Sequence, residues 1–383
     1  MTVDNKDIVI TSAVRTAIGT FRGSLKDMQA KDLGALVTKA AMQKSNLNSN
    51  DVDELIMGQV LTSATGQNPA RQAAIQAGIP NEKTAYVINQ VCGSGLRSVA
   101  AGYQAIMSND SKVIIAGGQE SMTNAPHAIH FDNGKKLDES NLIDTMIKDG
   151  LWDAFNGYHM GITAENVAAQ WKISRKDQDD FALSSQNKTE KAQKEGKFKN
   201  EIIPIILKEK NNENRFEIDE HPRAGMTLEK LEKLKPSFRN NGTVTAGNAS
   251  GINDAGAAVV MTSMNIAKQK GLSPMARIVS CGFAGVEPNV MGLGPIPAVK
   301  QALASANLTL DDMDVIESNE AFAAQAMAVS ETLKFDANKV NPNGGAVALG
   351  HPVGATGTII TLKTLYELKR INGRYGLITM CIG

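Results

Sequence analysis

Gln90-Val91-Cys92-Gly93-Ser94-Gly95-Leu96 sets a thiol on a tight turn between two runs of different periodicity. Before it, Thr84-Ala85-Tyr86-Val87-Ile88-Asn89 is a β-branched and aromatic run of strand type. After it, Leu96, Val99, Ala100, Tyr103, Ile106 and Met107 recur at helical spacing, so a helix begins just past the glycines. A thiol at a helix start meets free backbone N–H groups and the positive end of the dipole, which predicts a more acidic cysteine than an isolated one. Gly93 and Gly95 suit a sharp turn and the close approach of a ligand to the backbone. Cys92 therefore reads either as a nucleophile or as a buried structural cysteine, and this stretch by itself does not separate the two.

Outward from the turn, strands and helices alternate. A strand is expected over Asp7 to Val14, a helix over Gly34 to Lys44, a strand near Glu54 to Gly58, a helical segment over Pro69 to Gly78, and a strand at Lys112 to Ala116. Such alternation predicts an α/β chain with a mainly parallel sheet covered on both faces. The order recurs later, with a strand at Ala276 to Cys281 and a helix at Ala298 to Ser305. Asn46-Leu47-Asn48-Ser49-Asn50-Asp51-Val52-Asp53 lies on Asn307-Leu308-Thr309-Leu310-Asp311-Asp312-Met313-Asp314 without a gap and with four identities. Continued, that register brings Cys92 within two positions of His351. A duplication would make the two turns face each other across a pseudo-two-fold axis; chance likeness between two βα units is the alternative.

Residues 1–119 with 251–270 then form an N-terminal half, 120–250 an inserted loop domain, and 271–383 a C-terminal half. The insertion breaks the alternation with polar loops, a helical Ala164 to Gly196 region and a lysine-rich stretch. Ala257 to Met261 returns the chain to the first half as a strand.

The 383 residues exceed what one hydrophobic core usually covers, in keeping with two or three domains. Forty basic side chains balance forty acidic ones, which argues against a nucleic-acid or membrane-surface footprint. Cys92, Cys281 and Cys381 show neither paired nor zinc-ligand spacing, so no metal site or disulfide framework is expected. The polar start and the absence of a long apolar run fit a soluble, cytoplasmic protein in a reducing compartment.

A second chemical cluster is Asn341-Pro342-Asn343-Gly344-Gly345-Ala346-Val347-Ala348-Leu349-Gly350-His351-Pro352-Val353-Gly354-Ala355-Thr356-Gly357. Its glycines let backbone approach a ligand, but the Gly-Lys-Ser/Thr of a phosphate loop is missing, which disfavours a nucleoside triphosphate. The helix that follows puts His351 near a helix start, as Cys92 is. Alone it would read as a structural histidine; Cys92 gives it a partner. A last strand, Tyr375 to Gly383, carries Cys381, whereas Cys281 reads as a small buried hydrophobe.

With VCGSG around Cys92, NEAFA around Asn319, GHPVGATG around His351 and CIG around Cys381, the chain resembles the thiolases. GGQESM, HMGITAEN and TVTAGNASGINDAGAA extend the likeness over essentially the whole sequence, and the biosynthetic acetyl-CoA acetyltransferases are the members it is most similar to. The resemblance implies the thiolase fold: two duplicated mixed-sheet halves in an αβαβα arrangement with an inserted loop domain. It implies condensation of two acetyl-CoA to acetoacetyl-CoA and CoA, and the reverse thiolysis. Cys92 would carry the acetyl group, His351 would take its proton, and Cys381 would deprotonate the second acetyl-CoA. One oxyanion hole falls to His351 with a water held by Asn319, the other to the N–H groups of Cys92 and Gly383.

For CoA the matching positions are Leu151, His159, Arg223, Phe238, Ala246, Ser250, Met291, Ala321 and Phe322, with Met160 limiting acyl length. Arg223 suits a CoA phosphate. No cofactor beyond the thioester substrates is implied. The expected assembly is a homo-oligomer, a dimer through the first half and a tetramer through the inserted domain.

Family members continue past the Cys-x-Gly motif with more glycines and a final strand, and this sequence stops at Gly383. The expectation is a truncated sequence, since a carboxylate on Gly383 would oppose the charge that develops there. The alternatives carried with the thiolase reading are a degradative 3-ketoacyl-CoA thiolase, a related condensing synthase, and a catalytically impaired CoA-binding homologue.

Overall fold

The structure is a computed structural model that describes residues 4–130, 141–209 and 212–383. The first half alternates as expected: β1 (Ile8–Thr16), α1 (Ala30–Lys44), β2 (Glu54–Gly58), α2 (Pro69–Gln76), β3 (Thr84–Ile88), α3 (Ser94–Met107) and β4 (Val113–Ser121). The chain leaves this sheet after Ser121. It builds α4 (Met160–Trp171) and α5 (Arg175–Lys194), then returns as β5 (Asn253–Ser263). The second half supplies α6 (Pro295–Ala306), β6 (Val315–Ser318), α7 (Ala323–Leu333), α8 (Thr356–Ile371) and β7 (Gly376–Thr379).

The large sheet runs β3-β2-β4-β5-β1, with Ile202–Ile203 on the outer edge of β1. β5 is antiparallel to both neighbours, while β2 is parallel to β3 and β4, so the sheet is mixed. β1, β2, β4 and β5 are buried on both faces, β3 at the edge is exposed to half-buried, and alternate residues feed two cores. Val9, Leu55, Met57, Ile115 and Val260 pack toward α1 and α2. Ile10, Ile56, Ile114, Val259 and Met261 pack toward α3 and α8, each fully buried side chain contributing about 1.5–3 kcal/mol. α3 and α8 form a middle layer, β6 and β7 lie beyond it, and α6 and α7 cover the far side. The result is the αβαβα stack.

The duplication is visible in hydrogen bonds. Asn46 and Asn307 both take left-handed backbone after a helix, at φ 57° and 52°. Asp53 Oδ2 accepts the N–H groups of Lys112 and Val113, and Asp314 Oδ2 accepts those of Arg374 and Tyr375. Each aspartate stands just before one strand and holds the start of a later one, β4 for Asp53 and β7 for Asp314.

One strand is shorter than expected. Of Ala276 to Cys281 only Ala276–Arg277 pairs, antiparallel to Val9 and Ile10 of β1. Beyond this pair the Ile278 N–H still donates to the Ile8 carbonyl at 2.9 Å, and Val279 to Cys281 line a cavity without a ladder among the described residues. β7 likewise ends at Thr379, before Cys381.

Candidate active site

The Cys92 turn is built differently from the glycine-driven bend expected. Gly93 has ordinary right-handed backbone, and the left-handed residue is Val91, at φ 45°. A β-branched residue there is strained, and its neighbours hold it. The Val91 N–H donates to Asn89 Oδ1 at 3.0 Å, and Ser94 Oγ donates to the Val91 carbonyl at 2.6 Å. The glycines serve space. A Cβ on Gly93 would meet Ile382 Cδ1 at 2.5 Å, and one on Gly95 would meet the Gly354 carbonyl at 2.9 Å and Thr358 N at 3.0 Å.

Those contacts join the two halves. Thr358 Oγ donates to the Gly95 carbonyl at 3.0 Å, and Gly357 leaves room for the backbone of Leu96. The start of α8 thus abuts the start of α3, which brings together the turns carrying His351 and Cys92.

Cys92 is 7% exposed, among Val60, Leu61, Met146 and Val353. Burial pushes its thiol up to about 11; the N–H groups of Gly383 and of Cys92 itself act the other way, and the Glu120 carboxylate adds to the rise. The acidic thiol expected from the helix start is therefore corrected: desolvation outweighs the dipole. A buried, protonated thiol needs a base.

His351, on the turn that abuts the Cys92 turn, is the candidate for that base. Its N–H donates to Asn253 Oδ1 at 2.9 Å, and its Nδ1 lies 2.7 Å from Thr356 Oγ. Thr356 Oγ gives its proton to the Pro352 carbonyl at 2.9 Å, so Nδ1 is the donor to Thr356 and Nε2 keeps its lone pair. Burial lowers the imidazole to about 4, which keeps it neutral near pH 7. His351 Nε2 and both polar side-chain atoms of Asn319 are buried with no hydrogen-bond partner among the described residues. Asn319 follows β6 and is pinned through its N–H to the Thr379 carbonyl at 3.0 Å.

Cys381 is fully buried with Met160, Ala249, Met291, Ala321 and Phe322. Burial first and the nearby Cys92 second raise its thiol. Gly383 lies against Met160.

Most of the CoA candidates converge here. Phe238 packs on this cluster, stacks on His159 at 4.7 Å between centroids and meets Phe322 edge-on at 6.2 Å. His159 Nδ1 accepts the Gly161 N–H at 3.0 Å, and Ser250 is tied through its N–H to the Ala321 carbonyl at 3.0 Å. Leu151 sits instead in the Cys92 cluster. Ala246 and Arg223 are exposed, Arg223 being held by its N–H to Gln186 Oε1 at 3.0 Å.

A cavity of about 1350 Å³ opens beside these groups, walled by Val91, Gly93, Met160, Met291, Ile382 and Gly383 and running along Ala276 to Val286. Cys92 and Cys381 are buried and do not line it, whereas their chain neighbours Val91, Gly93, Met380 and Ile382 do. Asn253, Thr356, Glu120 and Glu320 escape sequence reasoning. Glu320 accepts Ser185 Oγ, Asn341 Nδ2 and the Val347 N–H, fixing the chain beside Asn319. The only signal for any of them is nearness to motif residues, as with Glu320 in NEAFA.

Residues 8–265 match the thiolase N-terminal domain and residues 272–383 the thiolase C-terminal domain. An acetyl-CoA acetyltransferase of Paracoccus denitrificans is 53% identical, over 98% of this chain and 96% of its own length. One of Rhizobium meliloti is 52% identical, over 100% of this chain and 97% of its own. The crystal structure of the Bacillus anthracis acetyl-CoA acetyltransferase superposes with a TM-score of 0.96 at 43% identity, over 99% of this chain and 96% of that one. Human mitochondrial 3-ketoacyl-CoA thiolase in complex with CoA superposes at 0.94 with 40% identity, over 99% and 95%. With both halves matched, and with the two turns that a duplicated chain should bring together found in contact, this chain belongs to the thiolase family.

Proposed function

We propose that this chain is an acetyl-CoA acetyltransferase, joining two acetyl-CoA into acetoacetyl-CoA and CoA and running the reverse thiolysis. The observation that carries the reading is the abutment of the Cys92 and His351 turns, with a second buried thiol near Cys92 and with His351 Nε2 and the Asn319 amide buried and unpartnered among the described residues. His351 Nε2 takes the Cys92 proton, the thiolate attacks the thioester carbonyl, and the departing CoA sulfur receives that proton back. Cys381 acts in its thiolate form, against the burial that favours its thiol, and removes a proton from the methyl group of the second acetyl-CoA. The resulting carbanion attacks the acetyl group on Cys92, and the oxyanion formed there is held by the N–H groups of Cys92 and Gly383. Collapse frees Cys92, which recovers a proton from Cys381. A water held by Asn319, whose amide has no partner among the described residues, serves the enolate oxygen of the second substrate, and His351 joins it when Nε2 carries a proton.

Met160 at the inner end of the CoA cluster limits the acyl chain, and His159, Phe238, Ser250, Met291, Ala321 and Phe322 border the pantetheine path, with Leu151 beside Cys92 and the exposed Ala246 and Arg223 farther out. The substrates require no further cofactor. Among the described residues no helix is long and apolar enough to cross a membrane. Free thiols at Cys92 and Cys381 suit a reducing, cytoplasmic setting. A dimer through the outer edge of β3, which pairs with β2 on one side and presents Tyr86, accompanies this reading, with a tetramer built through residues 120–250.

Incubation with acetyl-CoA should add one acetyl group to the Cys92 peptide, and acetoacetyl-CoA should be cleaved faster than a long-chain 3-ketoacyl-CoA. No adduct on intact protein, or preference for the long chain, overturns the assignment.

A further inference from the structure

Glu120 is a carboxylate with no accessible surface, one residue from the end of β4. It accepts three backbone N–H groups from two separate turns. Oε2 takes Val60 at 2.9 Å and Gly354 at 2.9 Å, and Oε1 takes Leu61 at 3.2 Å. Gly354 stands three residues past His351, and Val60, Leu61 and Val353 share a packed cluster with Cys92. There is no slack at this junction. A Cβ on Gly354 would meet Glu120 Oε2 at 2.6 Å, and Gly118 leaves room for the Gly354 carbonyl.

We propose that Glu120 is a positioning residue for the reaction: its carboxylate locks the His351 turn and the Val60–Leu61 turn into one frame around Cys92. Charge-assisted bonds to N–H groups are the strong kind, and three on one buried carboxylate fix both turns at once. Such a staple carries an electrostatic consequence. Ionised Glu120 opposes ionisation of Cys92, adding to the larger effect of burial that keeps that thiol protonated until His351 takes its proton. The other titratable groups facing this junction are Asp254 on β5, His351 on its turn and Cys381. Burial and Asp254 raise Glu120 to about 7, Asp254 itself is raised to about 6, and His351 is neutral above about 4. Glu120 therefore changes charge near neutrality.

This inference rests on Cys92 being the nucleophile, but it can be read on the thiol itself, apart from turnover. The full chain, as wild type and as Glu120→Gln, is alkylated with iodoacetamide across pH, and the rate at Cys92 is followed by peptide mass mapping. In the amide variant Oε can keep Val60 and Gly354 while its NH₂ faces the Leu61 N–H, two donors opposed. The wild-type profile should bend near pH 7, and the bend should vanish in E120Q, whose Cys92 reacts faster above neutrality. The kcat for acetoacetyl-CoA thiolysis should fall about ten- to a hundredfold, with KM within about twofold. A wild-type profile without the bend overturns the proposal, and needs no folded variant to do so. A bend that persists in E120Q belongs to Asp254 and overturns it equally, as does an E120Q enzyme with wild-type kcat. Failure of the thiolase reading would show separately, as a missing acetyl adduct on the wild type.

Discussion

The backbone N–H of Gly383 lies close enough to the thiol of Cys92 to favour its ionised form, although 290 residues separate them in the chain. The N–H of Cys92 itself acts in the same direction. In Cys92→Ser the donors remain, but the hydroxyl is a far weaker nucleophile. We expect no acetyl-enzyme by intact mass and a loss of at least about a thousandfold in kcat.

Cys381 separates the half-reactions. In Cys381→Ala, Cys92 and His351 are intact, so acetyl-CoA should still acetylate Cys92 and release one equivalent of CoA. Condensation should fall by at least about a thousandfold. A variant that loses acetylation as well would remove Cys381 from the role of second-step base.

Thr356 fixes the imidazole. Thr356→Val keeps the shape but removes the partner of Nδ1, and the ring can then turn or change tautomer. A fall of about tenfold in the acetylation rate is expected, with CoA affinity unchanged, measured by single-turnover kinetics.

Burial of His351 links stability to pH. Its imidazole stands at about 4 in the fold against an ordinary 6.5, so between these values the unfolded chain binds the extra proton. Stability from this group is therefore full above pH 6.5 and is lost as pH falls toward 4, by about 3 kcal/mol in all. The difference in unfolding free energy between wild type and His351→Asn, from urea titrations, should shrink by that amount across the window. A constant difference would refute the linkage.

Arg15 in β1 carries no accessible surface and is paired with Asp219 at 2.6 Å and Glu201 at 2.8 Å, tying the segment after α5 to the first sheet. Arg15→Ala leaves two buried carboxylates without their cation, and a loss of about 3–5 kcal/mol in urea unfolding is expected.

Much of this architecture could be read from the letters. Periodicity placed the strands and helices of the first half, and the Asn46 and Asn307 octapeptides exposed the repeat that the Asp53 and Asp314 bonds bear out. What escaped was set by surroundings. The proton affinity of Cys92 follows from its burial, which no local pattern encodes, and the helix start misled because desolvation is the larger effect. Glu120, Asn253 and Thr356 act through bonds to backbone or ring atoms, two of them across long sequence separations. The short ladder at Ala276–Arg277 differs from expectation because a strand needs neighbours as well as propensity.

The seam where Gly95 meets Thr358 and Gly357 meets Leu96 has an evolutionary consequence. The proposed nucleophile, Cys92, and the proposed base, His351, stand on turns from opposite sides of it, so the two copies of the repeat are constrained together at this joint. Side chains elsewhere are free to diverge, but a methyl group added at this joint would part the reacting atoms without altering either of them.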